Sequence, residues 1–218
     1  MIAKPKNFLF VWINSDEFEL INSIGLIRKH YPESSIYLVG DKPKHVYLDK
    51  HITFKQKGNV RASRVTSAIL HACNFMDEFV LMYDDVFLNE GYDFDNAFYR
   101  GELRKDRPSG NYQLCLHNTR KFLEYHNKPT LNYECHQPEL INSKMFIELM
   151  DQVNWQDNYH LIKSLYFNFY DLPNKQVRNL KTHTPNEAKK LYEDHKCFSS
   201  VGGITPQMKN YITSLKNH

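Results

Sequence analysis

The chain is expected to fold as a single α/β domain, a mixed and mostly parallel sheet flanked by helices. Three observations predict this. Short apolar runs alternate with helical patterns through the first half, the signature of parallel strands joined by crossover helices. The run Phe79-Val80-Leu81-Met82-Tyr83 is continuously apolar, as a strand covered on both faces must be. The 218 residues suit one sizeable core, with no internal repeat and few Gly or Pro to mark a linker.

Phe8–Ile13 reads as the first strand, ending in the polar turn Asn14-Ser15-Asp16. Ser15 or Asp16 can cap a helix over Glu17–His30, in which Phe18, Ile21, Ile24 and Ile27 recur at helical spacing. Ser35–Val39 is a second strand closed by Gly40-Asp41, and His51–Lys55 a short third. Lys57-Gly58-Asn59 turns into a helix over Arg61–Cys73, and the strand Phe79–Tyr83 follows.

The second half is less regular. Phe94–Tyr99 and Gln113–Leu116 read as strands at a sheet edge. Asn118–Tyr125 and Tyr159–Tyr170 read as helices, the latter rich in aromatics. A helix over Pro138–Gln152 is expected, with Pro at an early helical position. Glu187–Asp194 is helical, Cys197–Ser200 a short strand, and the tail a helix capped by Thr205 with Pro206 at its first position.

Composition narrows the function classes. With 28 basic and 25 acidic residues, the net charge of +3 is too small to argue for nucleic acid by itself. No apolar stretch reaches the ~18 residues of a membrane span, and Phe8–Ile13 is too short for a secretion signal. A soluble, cytoplasmic protein is therefore expected. Cys73, Cys115, Cys135 and Cys197 lie far apart and read as reduced thiols. There is no Walker loop, no GxGxxG after a strand, no GxSxG and no HExxH, which disfavours P-loop kinases, dinucleotide dehydrogenases, serine hydrolases and zinc proteases.

The pair Asp84-Asp85 carries the strongest chemical signal. Two carboxylates at the end of a core strand need a cation, because burying unpaired charge costs several kcal/mol or more. A divalent ion carrying a nucleotide diphosphate suits them, since Mg²⁺ and Mn²⁺ prefer hard oxygen ligands. Two solvated acids at a strand end is the simpler alternative. In open α/β sheets ligands bind outside the carboxyl ends of the strands, so the loops after Ile13, Val39 and Tyr83 should meet at one crevice.

Around that crevice the other candidates fall into place. Arg61 and Arg64 share a helix face near an N-terminus, which suits a diphosphate. Trp12, Asn14 and Ser15 suit a nucleobase, although core packing is the simpler fate of Trp12. Asp41 is placed to reach a ribose, or is merely a turn residue. In the second half, His136 shares a compact turn with Glu134 and is placed as a base on an acceptor hydroxyl, or as a metal ligand. His195 is a candidate third metal ligand if the tail folds over the crevice, and His183 is a weaker candidate site residue.

Tyr83-Asp84-Asp85-Val86-Phe87 resembles the acidic motif that ends a strand in nucleotide-sugar transferases of the GT-A type. More narrowly, Phe10–Asp16, Phe79–Leu88 and His136-Gln137-Pro138 are similar to conserved regions of the Stealth group of sugar and sugar-phosphate transferases. The chain departs from that group at Asn14, Tyr83 and Ser199-Ser200, where the group has Asp, Asn and Asn-Asp.

The resemblance implies a single GT-A-like (Rossmann-like) domain over 1–218, with a nucleotide-binding half at 1–90 and an acceptor half at 91–218. It implies a metal-dependent glycosyltransferase using Mn²⁺ or Mg²⁺ and a nucleotide diphosphate sugar, foremost a UDP-sugar. Asp84 and Asp85 would hold the metal, and His136, Glu134 and Asp85 would serve catalysis. The leading acceptor is a hydroxymethylated base in bacteriophage DNA, by analogy with small viral transferases, ahead of a glycan. Transfer of a sugar 1-phosphate to a glycan and a non-catalytic sugar-binding module are the alternatives.

Overall fold

A computed structural model describes residues 5–13, 17–54, 61–104, 110–157 and 159–216. Asn14, Ser15 and Asp16, and the turn Lys57-Gly58-Asn59, lie outside the described residues. The chain opens with strand β1 (Asn7–Trp12), helix α1 (Glu17–His30), β2 (Ser35–Gly40), β3 (Lys50–Ile52), α2 (Arg61–Ala72) and β4 (Glu78–Met82). It continues through β5 (Val86–Leu88), β6 (Ala97–Tyr99), α3 (Asn111–Tyr125), β7 (Glu139–Asn142), α4 (Ser143–Met150) and α5 (Ile162–Phe169). It closes with β8 (Asn174–Gln176), β9 (Lys181–Thr182), α6 (Pro185–Asp194), β10 (Cys197–Ser200) and α7 (Pro206–Ser214).

The main sheet has the order β3-β2-β1-β4-β7, parallel except for β7, which runs antiparallel to β4. Side chains alternate across it, because successive residues of a strand face opposite ways. Phe8, Phe10 and Trp12 pack with Leu20, Ile24 and Ile27 of α1, while Leu9 packs with Ala68 and Ile69 of α2. Both faces are covered, which is why these strands read as unbroken apolar runs. From β1 the chain moves outward to β2 and β3, then returns through α2 to β4 on the other side of β1. The order reverses between β1 and β4, and their carboxyl ends flank the crevice that such a reversal leaves.

Gly40 holds β2 and β1 in register at this end. Its φ is 122°, and a Cβ built on it would lie 2.1 Å from the Trp12 carbonyl oxygen, which accepts from Asp41 N–H at 3.1 Å. Only glycine fits there.

Several expectations for the second half are corrected. Gln113–Leu116 is not a strand: it belongs to α3, whose Cys115, Leu116, Thr119 and Leu123 are buried at helical spacing. Pro138–Gln152 is not one helix. Glu139–Asn142 extends the main sheet as β7, and the helix starts only at Ser143, where the Asn142 side chain accepts from Met145 N–H at 3.1 Å. Neither expected edge strand lies in the main sheet, since β6 pairs with β8 in a separate ribbon. Val86–Leu88 leaves the main sheet to pair with β10, which also pairs with β9. Among the described residues no helix is long and apolar enough to cross a membrane.

Candidate active site

The turn Tyr83–Val86 carries the chain from the main sheet into the smaller one, closed by Val86 N–H donating to the Tyr83 carbonyl at 3.3 Å. Asp84 and Asp85 are its two central residues and so project at the carboxyl end of β4. Asp85 Oδ2 lies 3.1 Å from Lys181 Nζ, accepts from Ser199 Oγ at 3.0 Å, and sits 3.3 Å from His136 Nδ1. The His136 approach is off the line of a well-formed hydrogen bond. Burial alone would raise the Asp85 carboxyl. The His136 ring and the Lys181 ammonium more than offset that and hold it down at about 2.

Glu19 of α1 completes an acidic group. Its Oε1 accepts from Ser200 Oγ. Burial pushes its carboxyl up against that hydrogen bond, and the charges of Asp85 and Asp84 push it further, with Lys181 opposing.

Two cavities open beside the turn and share a wall of Arg61, Val65 and Tyr83. The first, of about 390 Å³, lies between Val11, Ile13, Arg64 and Asp84. The second, of about 400 Å³, reaches into the second half, where Tyr112, Glu134, His136, His160 and Lys163 line it. His136 takes a φ of 49°, a conformation uncommon outside glycine and one that collects at functional sites. Its ring lies 5.5 Å from that of Tyr83. Glu134 Oε1 accepts from Ser164 N–H at 3.2 Å and Ser164 Oγ at 3.1 Å, so this carboxylate caps α5 from outside the helix.

The structure thus gathers Asp84, Asp85, Arg61, Arg64, Glu134 and His136 around one cleft. Asp41 is exposed at the end of β2, beside the end of β1. Trp12 is corrected: it is 3% exposed within the core facing α1, so its ring has no face left for a base. Its strand-end neighbours Val11 and Ile13 line the first cavity instead. His195 is corrected too. It is the exposed C-cap of α6, before the start of β10, whereas Asp85 meets the far end of that strand through Ser199 and Ser200. His183 is exposed on the segment after β9.

Sequence reasoning missed Lys181, Ser199, Glu19, His160 and Lys163. For Lys163 a signal existed: a lone cation framed by Leu161-Ile162 and Leu165-Tyr166 in an apolar helix is out of pattern unless it meets a partner. It is 2% exposed, with Nζ 3.5 Å from Glu139 Oε1 and 5.2 Å from the Tyr83 ring centre. Burial disfavours its charge, but Glu139, Tyr83 and Glu134 around it hold the ammonium above the usual lysine value.

No family model matches the chain, and no curated protein is significantly similar to it in sequence. Solved structures are similar in fold. The galactosyltransferase LgtC, in complex with donor and acceptor sugar analogs, matches 97% of this chain over 95% of its own, at 12% identity and a TM-score of 0.51. The chain has the GT-A glycosyltransferase fold. The apo form of the glycosyltransferase GlyE of Streptococcus pneumoniae TIGR4 matches 99% of this chain over 61% of its own, at 11% identity and a TM-score of 0.52. In a GT-A sheet of this order the turn after β4 stands at the strand reversal, where Asp84 and Asp85 are found.

Proposed function

We propose that the chain is a glycosyltransferase that moves a sugar from a nucleotide diphosphate sugar, foremost a UDP-sugar, to a hydroxyl acceptor. The observation that carries this reading is the Asp84-Asp85 turn at the strand reversal of a GT-A sheet, beside a cleft with Arg61 and Arg64 on its wall.

The residues present fit a divalent ion. Among the described residues no three His, Cys, Asp or Glu side chains converge to cage a metal. Mg²⁺ and Mn²⁺ do not need such a cage, since one or two carboxylates with donor phosphates and water suffice. Asp84 and Asp85 would supply them, at a turn where the Glu19 carboxyl also lies within reach of their charges. A bound Mn²⁺ or Mg²⁺ supplies Lewis-acid neutralisation of the leaving diphosphate.

The chain's own residues do the rest. Arg61 and Arg64 stand at the N-terminal turn of α2 and meet the phosphate oxygens. Asp85 orients the His136 ring through its Nδ1 side, leaving Nε2 to take the proton of the acceptor hydroxyl as that oxygen attacks the anomeric carbon. The bond to the nucleotide diphosphate breaks, and the sugar is left on the acceptor. Glu134 holds the N-terminus of α5 against this site rather than serving as the base.

A thermal-shift panel of UDP, GDP, CMP and their sugars, with and without Mn²⁺, tests the reading. One nucleotide should raise the melting temperature, and only with metal, because a ligand that binds the native state stabilises it by mass action. Release of the nucleoside diphosphate in turnover, rather than the monophosphate, separates glycosyl transfer from transfer of a sugar 1-phosphate. No shift with any nucleotide would overturn the proposal.

A further inference from the structure

The second cavity has an unusual lining for a sugar site. Residues on its wall own two buried polar atoms that make no well-formed hydrogen bond among the described residues: His160 Nδ1, and Lys163 Nζ, which has only an ion-pair contact to Glu139. Unsatisfied buried groups are rare in folded proteins and demand an explanation. His160 is 8% exposed and Lys163 is 2% exposed, so solvent does not serve them.

The charge of the lining is also one-sided. Lys163 and Arg61 line the cavity, and Arg100 stands at its rim, donating to the Tyr112 hydroxyl at 3.3 Å. The single carboxylate on the wall, Glu134, is already engaged by the N-terminus of α5. Glu139 sits behind Lys163, at 3.5 Å, and does not line this cavity. A largely apolar pocket with a few convergent polar groups is the form of a ligand site, and here cations and donors outnumber the one carboxylate.

We propose that this cavity is a subsite for an anionic group, a phosphate or carboxylate carried by the acceptor, held by the buried Lys163 with Arg100 at the rim, and with His160 meeting a neighbouring hydroxyl. The inference rests on the glycosyltransferase reading and deepens it: the acceptor is a charged sugar or sugar phosphate rather than a neutral one. A buried ammonium whose contact to Glu139 is a loose 3.5 Å can turn a further N–H to such an anion without first having to shed water.

The test uses the full chain saturated with UDP and Mn²⁺, so that UDP binding is established independently. Inorganic phosphate, glucuronate and glucose are then titrated by calorimetry. Phosphate or glucuronate should bind at least about 10-fold tighter than glucose, without displacing UDP, and lose about 10-fold or more in Lys163→Met. Preference between phosphate and glucuronate names the anion. Should Lys163→Met fail to fold, because it strands the Glu139 carboxyl, Glu139→Gln/Lys163→Met removes both partners and serves in its place. Three results would overturn the inference: no anion binding to the UDP-loaded protein, competition between the anion and UDP, or affinity unchanged in these variants. Failure of UDP itself to bind would instead sink the glycosyltransferase reading.

Discussion

Asp85 is the residue at which three distant segments meet: the β4–β5 turn, the His136 turn and the β9–β10 pair that brings Lys181 and Ser199. Asp85→Asn keeps the size of the side chain but removes the charge that, in the proposed function, orients His136 and helps hold a metal. It should lower kcat by on the order of 10²-fold or more, measured as nucleotide release under saturating donor. His160 gives a second residue-scale prediction. Burial lowers its pKa from 6.5 to about 4. The native state therefore binds this proton less readily than the unfolded chain does. Stability is full above pH 6.5 and falls as the pH drops toward 4, by up to about 3 kcal/mol from this group. His160→Gln should flatten that part of the stability profile in urea melts taken across this range. An unchanged slope would show that the ring is not buried neutral.

Two contacts decide how whole elements are placed. The α5 N-cap, Leu161, has no acceptor on its side chain, and Glu134 supplies the missing acceptor from another segment. Glu134→Gln retains an acceptor oxygen for Ser164, so it should keep most of the stability and of the turnover. Glu134→Ala should cost about 1 kcal/mol in urea denaturation. Loss of turnover in Glu134→Gln with stability intact would return Glu134 to the role of catalytic base. Gly40→Ala forces a Cβ onto the Trp12 carbonyl and should destabilise by on the order of 3 kcal/mol, read from the denaturation midpoint.

Elements were legible where periodicity and caps agreed. Glu17–His30 sits where its spacing predicts, and Thr205 caps α7 with Pro206 at its start as expected. Glu139–Asn142 was not legible, because its fate depends on pairing with β4, a contact distant in sequence, and the helix starts after the Asn142 cap rather than at Pro138. Gln113–Leu116 was misread because a short apolar run looks alike in a strand and a buried helix.

At the scale of the molecule, the outward run from β1 to β3 and the return to β4 create the crevice; the alternation of strands and helices pointed to a parallel sheet, but the strand order came only with the structure. The acidic pair stood out in the sequence because charge at the end of an apolar strand breaks the pattern, and the structure places it at the strand reversal. Its surroundings were not. Lys181 and Ser199 arrive from the last third of the chain, and no local spacing announces them. Trp12 shows the opposite failure, since a strand-end aromatic looks the same in sequence whether it faces a ligand or α1.

The central claim is that the crevice between β1 and β4 holds a nucleotide diphosphate through a metal at Asp84 and Asp85. Calorimetric titration of UDP into the protein and into Asp84→Asn/Asp85→Asn, with and without Mn²⁺, tests it most directly. Binding should require Mn²⁺ and weaken at least about 10-fold in the variant, a difference of about 1.4 kcal/mol. UDP binding of equal strength without metal, or in the variant, would contradict the account.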